Sequence, residues 1–203
     1  MARKKSSSKA LPPPARLADT TGATESLVDG DAAVTSQAVD LSNPAPTHRF
    51  PIVGIGASAG GLAAFEAFFS AIPAETRTGM AFVLVQHLAP DHASILTELV
   101  QRYTGLRVLE VTDGLRIEPD GVYIIPPGFD MALFQGVLHL LEPTSPHGLR
   151  LPIDFFFRSL AQDQHERAIG VVLSGTGSDG TLGARAIKGE GGLVLAQAPK
   201  PAA

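Results

Sequence analysis

From Phe50 onward the sequence predicts an α/β fold: a doubly wound, mostly parallel sheet with helices on both faces and one antiparallel β-hairpin. Two observations predict it. Short apolar, β-branched runs alternate with segments whose apolar residues recur at helical spacing. Three of the runs are also followed by a polar residue of chemical consequence. Ser58 follows Ile52-Val53-Gly54-Ile55-Gly56, His87 follows Ala81-Phe82-Val83-Leu84-Val85, and Asp179 follows Ala168-Ile169-Gly170-Val171-Val172-Leu173. If the runs are parallel strands of one sheet, all three side chains leave it at the carboxyl edge, where open α/β sheets place their reacting groups.

The elements follow in order. Residues 1–49 are rich in Ser, Ala, Pro, Thr and Asp and hold no aromatic residue. They bury too little apolar surface to offset the entropy of ordering, so a disordered tail is expected, stiffened locally by Pro12-Pro13-Pro14. The folded domain is expected over 50–203. After the first strand, Leu62, Phe65, Phe68, Phe69 and Ile72 recur at helical spacing, and Pro73 stops the run. After the second, Asp91 can cap a helix with Ile95, Leu96, Leu99 and Val100 on its apolar positions. Strands follow at Arg107 to Val111 and Val122 to Ile125. Met131 to Phe134 and Val137 to Leu141, split by Gln135-Gly136, read as a hairpin. Asp154 can cap a helix through Phe155, Phe156, Phe157 and Leu160. A strand at 168–173, a helix from Gly180 to Lys188 and a strand at Leu193 to Ala196 complete the pattern. A doubly wound sheet would cover that last strand with a further helix, so the domain is expected to lack its C-terminal end.

Bulk composition narrows the function. The chain has 203 residues, of which 44% are hydrophobic, enough for one ordinary domain with a core and an appendage. A formal charge of −4 argues against nucleic acid as a partner. There is no cysteine, which excludes disulfides, zinc–thiolate sites and thiol catalysis. No apolar stretch approaches the roughly 20 residues that cross a bilayer. The basic N-terminus (Arg3, Lys4, Lys5, Lys9) precedes no apolar segment, so neither membrane insertion nor secretion is expected. No histidine pair has ligand spacing on one helical face, so no metal is expected.

Gly56-Ala57-Ser58-Ala59-Gly60 fits the G-x-S-x-G pattern of a strand–turn–helix nucleophile. Small neighbours permit a sharp turn that pushes the hydroxyl out of the sheet, and the next helix aims unpaired N–H groups at the same spot. The plainer alternative is a glycine-rich turn whose serine caps the helix. A rival lies in the same stretch, because Gly54-Ile55-Gly56-Ala57-Ser58-Ala59 matches the dinucleotide fingerprint G-x-G-x-x-G/A. That reading wants an acidic residue ending the second strand, where the chain has Gln86-His87-Leu88. His87 is placed to reach Ser58, or is simply a polar loop residue. Asp179, in Ser174-Gly175-Thr176-Gly177-Ser178-Asp179-Gly180, can orient an imidazole or cap the following helix. Asp91 and Asp154 read as caps only.

Together these segments resemble the CheB-type chemotaxis protein-glutamate methylesterases. The resemblance rests on Ile55-Gly56-Ala57-Ser58-Ala59-Gly60-Gly61, Val85-Gln86-His87-Leu88 and Leu173 to Gly180. Val122-Tyr123-Ile124-Ile125-Pro126-Pro127 and Leu151-Pro152-Ile153-Asp154-Phe155-Phe156 add to it. It covers about Pro51 to Gln197. It implies a triad of Ser58, His87 and Asp179 that releases methanol from glutamate methyl esters and also deamidates glutamines, with no cofactor. It further implies a cytoplasmic setting, a methylated chemoreceptor cytoplasmic domain as partner, and a link to receptor methyltransferases through Leu151 to Leu160. Three departures stand out. Thr176 occupies a position that is often methionine, the tail is too short and polar to be a receiver domain, and family domains run on past Ala203. A truncated, inactive module of the same fold and a nucleotide-binding protein are the alternatives.

Overall fold

The computed structural model describes residues 50–57, 61–86, 93–143, 150–173 and 178–198. Its elements run β1 (Ile52–Ala57), α1 (Gly61–Ser70), β2 (Ala81–Gln86), α2 (Ala93–Tyr103), β3 (Arg107–Glu110), β4 (Leu115–Arg116) and β5 (Gly121–Ile124). Then come β6 (Asp130–Phe134), β7 (Val137–Leu141), α3 (Pro152–Gln164), a 3₁₀ turn (His165–Arg167), β8 (Ala168–Val172), α4 (Thr181–Gly189) and β9 (Leu193–Ala196). Six strands form one sheet in the order β3-β5-β2-β1-β8-β9, and every pair in it is parallel. From β1 the chain winds outward in both directions, to β2 on one side and later to β8 on the other. That reversal is where a doubly wound sheet opens a crevice at its carboxyl edge.

Helices cover both faces. On one, Val53, Ile55 and Ala57 pack with Phe65 and Phe69 of α1 and Leu96 and Val100 of α2. The rings of Phe68, Phe69 and Phe82 meet edge-on there. On the other, Val83, Val85 and Tyr123 pack with Phe156, Phe157 and Leu160 of α3 and Ile187 of α4. Strands buried on both faces need continuous apolar runs, which is why β1 and β2 are buried almost end to end. Glycines decide how close α3 comes. A Cβ on Gly56 would lie 2.4 Å from Ile153 Cγ2, and one on Gly54 would lie 2.9 Å from Leu160 Cδ2. The first turn of α3 therefore rests directly on the carboxyl half of β1.

The hairpin forms as its sequence predicts. β6 and β7 pair antiparallel, and Gln135 and Gly136 both take positive φ, at 49° and 68°. A two-residue loop of type I′ requires that. The pair belongs to a separate sheet, in which β7 also pairs with β4, a two-residue strand too short to leave a periodic signal. Serine links this sheet to α3, since Ser159 Oγ accepts the N–H of Leu133 at 3.0 Å. Two positions expected on apolar faces, Leu62 and Ile95, are exposed instead. The edge strand β9 also leaves Leu193 and Leu195 half exposed. Asp91 lies outside the described residues.

Candidate active site

The middle strands β2, β1 and β8 are neighbours, and each leads into one of the three residues singled out from the sequence. β1 ends at Ala57 and β2 at Gln86, and these two are register partners. Ser58 and His87 are the next residues in the chain, and both lie outside the described residues. So do Ala59, Gly60 and residues 174–177, where the rest of the serine turn and Thr176 fall. The start of α1 is described. A Cβ on Gly61 would lie 2.8 Å from that of Ala57 and 3.2 Å from Gln86 Nε2. The N-terminus of α1, with its positive dipole end and N–H groups that no helical carbonyl can reach, thus abuts the ends of both strands.

Asp179 is described, and its carboxylate is fixed at both oxygens. Oδ1 accepts the N–H of Asp154 at 2.9 Å, and Oδ2 accepts the N–H of Ile153 at 3.1 Å. These donors belong to the first turn of α3, where no helical carbonyl can reach them. Leu151, the residue before that helix, supplies no side-chain cap. Asp179 therefore caps α3 from outside it, an arrangement typically worth about 1 kcal/mol.

This corrects two expectations. Asp154 does not cap its own helix, and Asp179 does not cap α4. Asp154 is the third residue of α3, and its Oδ1 accepts the N–H of Gly183, the third residue of α4. The residue preceding α4 is Gly180, at φ 93°, without a side-chain cap. That left-handed turn sets α4 one residue past Asp179 and frees the carboxylate to face α3. Each aspartate thus satisfies the other's helix. The seam between the helices is tight, since a Cβ on Gly183 would lie 2.4 Å from Phe157 Cβ. Its far end is tied by His165 Nδ1 and Glu190 Oε2, 2.9 Å apart.

The dinucleotide reading meets a physical obstacle. The space a Cβ would take at Gly54 and Gly56 is filled by α3 side chains, so these glycines serve helix packing. In the fingerprint, the first of these glycines makes the tight turn and the second lets the backbone approach the pyrophosphate. Among the described residues, no group of three or more His, Asp or Glu side chains could hold a metal. None of the described helices is long and apolar enough to cross a membrane.

At the opposite, amino edge lies a cleft of about 560 Å³, lined in part by Arg77, Arg107, Glu118, Asp120 and Tyr123. Two ion pairs lie within it: Arg77 is 3.9 Å from Asp120, and Arg107 is 3.8 Å from Glu118. The N–H of Gly79 bonded to Asp120 holds that carboxyl below the usual range. Burial pushes the phenol of Tyr123 up.

Comparison with known proteins agrees with the geometry. A family model described as CheB methylesterase matches residues 53–203. A protein-glutamate methylesterase/protein-glutamine glutaminase of Maricaulis maris is 35% identical over 158 residues, 76% of this chain and 39% of its own length. One from Mesorhizobium japonicum is 35% identical over 186 residues, 90% of this chain and 53% of its own. The chain thus spans about half or less of these relatives. The crystal structure of the Thermotoga maritima CheB methylesterase catalytic domain superposes with a TM-score of 0.65 at 30% identity, covering 71% of this chain and 78% of that one.

Proposed function

The chain belongs to the CheB methylesterase family, and on that premise we propose that residues 50–203 hydrolyse glutamate methyl esters on the cytoplasmic domain of a chemoreceptor. The reaction is acyl transfer to water. Ser58 Oγ attacks the ester carbonyl while His87 takes its proton. Asp179 keeps the imidazole in the right tautomer and stabilises the cation. N–H groups at the head of α1 and of residues 174–177 receive the developing oxyanion; one such donor is typically worth about 3 kcal/mol. His87 returns the proton to the departing methoxide, and methanol leaves. Water, deprotonated by His87, then attacks the acyl-serine, and the glutamate carboxylate is released with Ser58 restored. A glutamine side chain enters the same cycle with ammonia as leaving group. The setting proposed is the cytoplasm.

The observation that carries this reading is the anchoring of Asp179. A carboxylate that orients a base must not rotate, and both of its oxygens are held by backbone N–H groups of α3. It stands beyond β8, the strand next to β1, whose end is in register with that of β2. Methanol release from methylated receptor cytoplasmic domain tests the proposal. Wild type should release methanol and Ser58→Ala should not; equal release by both removes Ser58 from the mechanism.

A further inference from the structure

We propose that Asp154 is a positioning residue for the reaction, acting through Asp179. The inference rests on the triad reading above and deepens it. Asp154 is buried, with 3% of its surface exposed. It meets the orienting carboxylate and the helix behind it at once. Its N–H donates to Asp179 Oδ1 at 2.9 Å, and its own Oδ1 accepts from Gly183 N at 2.6 Å. Asp179 lies four residues before Gly183, in the turn that opens α4. The two bonds therefore close a ring: α3 holds Asp179, Asp179 leads into α4, and α4 is held back to α3 by Asp154. If the Asp154 carboxylate is removed, α4 loses its tie to α3 at the end where Asp179 sits. Asp179 then keeps its donors only as well as the turn happens to place it. Small displacements of an orienting group cost rate rather than binding, because the alignment matters most in the transition state.

The closing experiment is a double-mutant cycle on methanol release from methylated receptor, with kcat and KM measured separately and melting followed for every variant. Asp154→Ala should lower kcat at least threefold with KM within twofold. Asp154→Asn, whose amide oxygen can still accept from Gly183, should restore most of the rate. In an Asp179→Asn background Asp154→Ala should cost less than twofold, because the group it positions is already disabled. A fall under threefold in the wild-type background overturns the inference. So does an equal loss in both backgrounds, which is the mark of general loosening. Should Asp154→Ala not fold, Asp154→Ser, whose shorter side chain stops short of Gly183, is judged by the same criteria. If Asp179→Asn alone keeps the wild-type rate, the triad reading fails; if it loses rate and Asp154→Ala does not, only this inference fails.

Discussion

Asp120 and Asp179 stand near opposite edges of the sheet, and among the described residues each accepts two backbone N–H groups. Asp120, near the amino edge, takes those of Thr78 and Gly79 at 2.7 and 3.0 Å, both on Oδ1. The same oxygen also takes the Thr78 hydroxyl at 3.1 Å. It ties one turn to another, with its own backbone at φ 60°. Asp179, at the carboxyl edge, takes one N–H on each oxygen, and both come from the first turn of a helix. The first arrangement loads one oxygen and fastens a loop. The second holds the carboxylate level across a helix end and fixes its plane. The same residue type, holding two backbone N–H donors among the described residues in each case, is a fastener in one place and an oriented group in the other. What differs is the topology that delivers it.

Substitutions can break that contrast, and the largest effects belong to the carboxyl edge. Ser58→Ala should lower kcat for methanol release by more than about 10⁴-fold with little change in melting temperature. Asp179→Asn should lower kcat by about 10⁴-fold, as tautomer control is lost, and should also weaken the cap on α3. Asp120→Asn, by contrast, should leave kcat per folded molecule within twofold, as measured by the same assay. A loss of rate in that variant comparable to that of Asp179→Asn would erase the distinction between the two edges.

Packing under the site comes next in size. Gly56→Ala places a methyl 2.4 Å from Ile153 Cγ2. Overpacking there should cost about 1–3 kcal/mol in urea unfolding and lower kcat as well, since Ile153 also donates to Asp179. Tyr123→Phe removes a hydroxyl that accepts the N–H of Glu118 at 2.8 Å, and should cost about 1 kcal/mol without a change in kcat.

The smallest effect is a pH dependence. The lowered pKa of Asp120 arises chiefly from the Gly79 hydrogen bond. A carboxylate lowered on folding contributes stability that is complete above its unfolded value, about 3.9. That contribution is lost as pH falls through the lower folded value. The melting temperature of wild type should therefore exceed that of Asp120→Asn at pH 6, and the gap should narrow below about pH 4. A gap that stays constant from pH 7 to pH 3 would show that the charge of Asp120 contributes nothing.

The fold was legible because its signals are local. Continuous apolar strands, phenylalanines at helical spacing and Gln135-Gly136 between two strands all reflect chain preferences that the tertiary structure follows. β4 was not legible, because two residues make no period. The exchange of caps between Asp154 and Asp179 was not legible either. A capping preference specifies that a carboxylate meets unpaired N–H groups, not whose, and these residues are 25 apart in sequence. The signal that could have pointed to Asp154 was its place in Leu151-Pro152-Ile153-Asp154-Phe155-Phe156, one of the segments carrying the family resemblance. Of the proposed triad, Asp179 and the strand ends that precede Ser58 and His87 are among the described residues.

The most direct test of the central claim is labelling with a fluorophosphonate, followed by peptide mass mapping. An activated serine attacks phosphorus and expels fluoride, so the account predicts a single adduct on Ser58 and labelling slowed by orders of magnitude in Asp179→Asn. An adduct on another residue, or equal labelling rates in the two proteins, would contradict it.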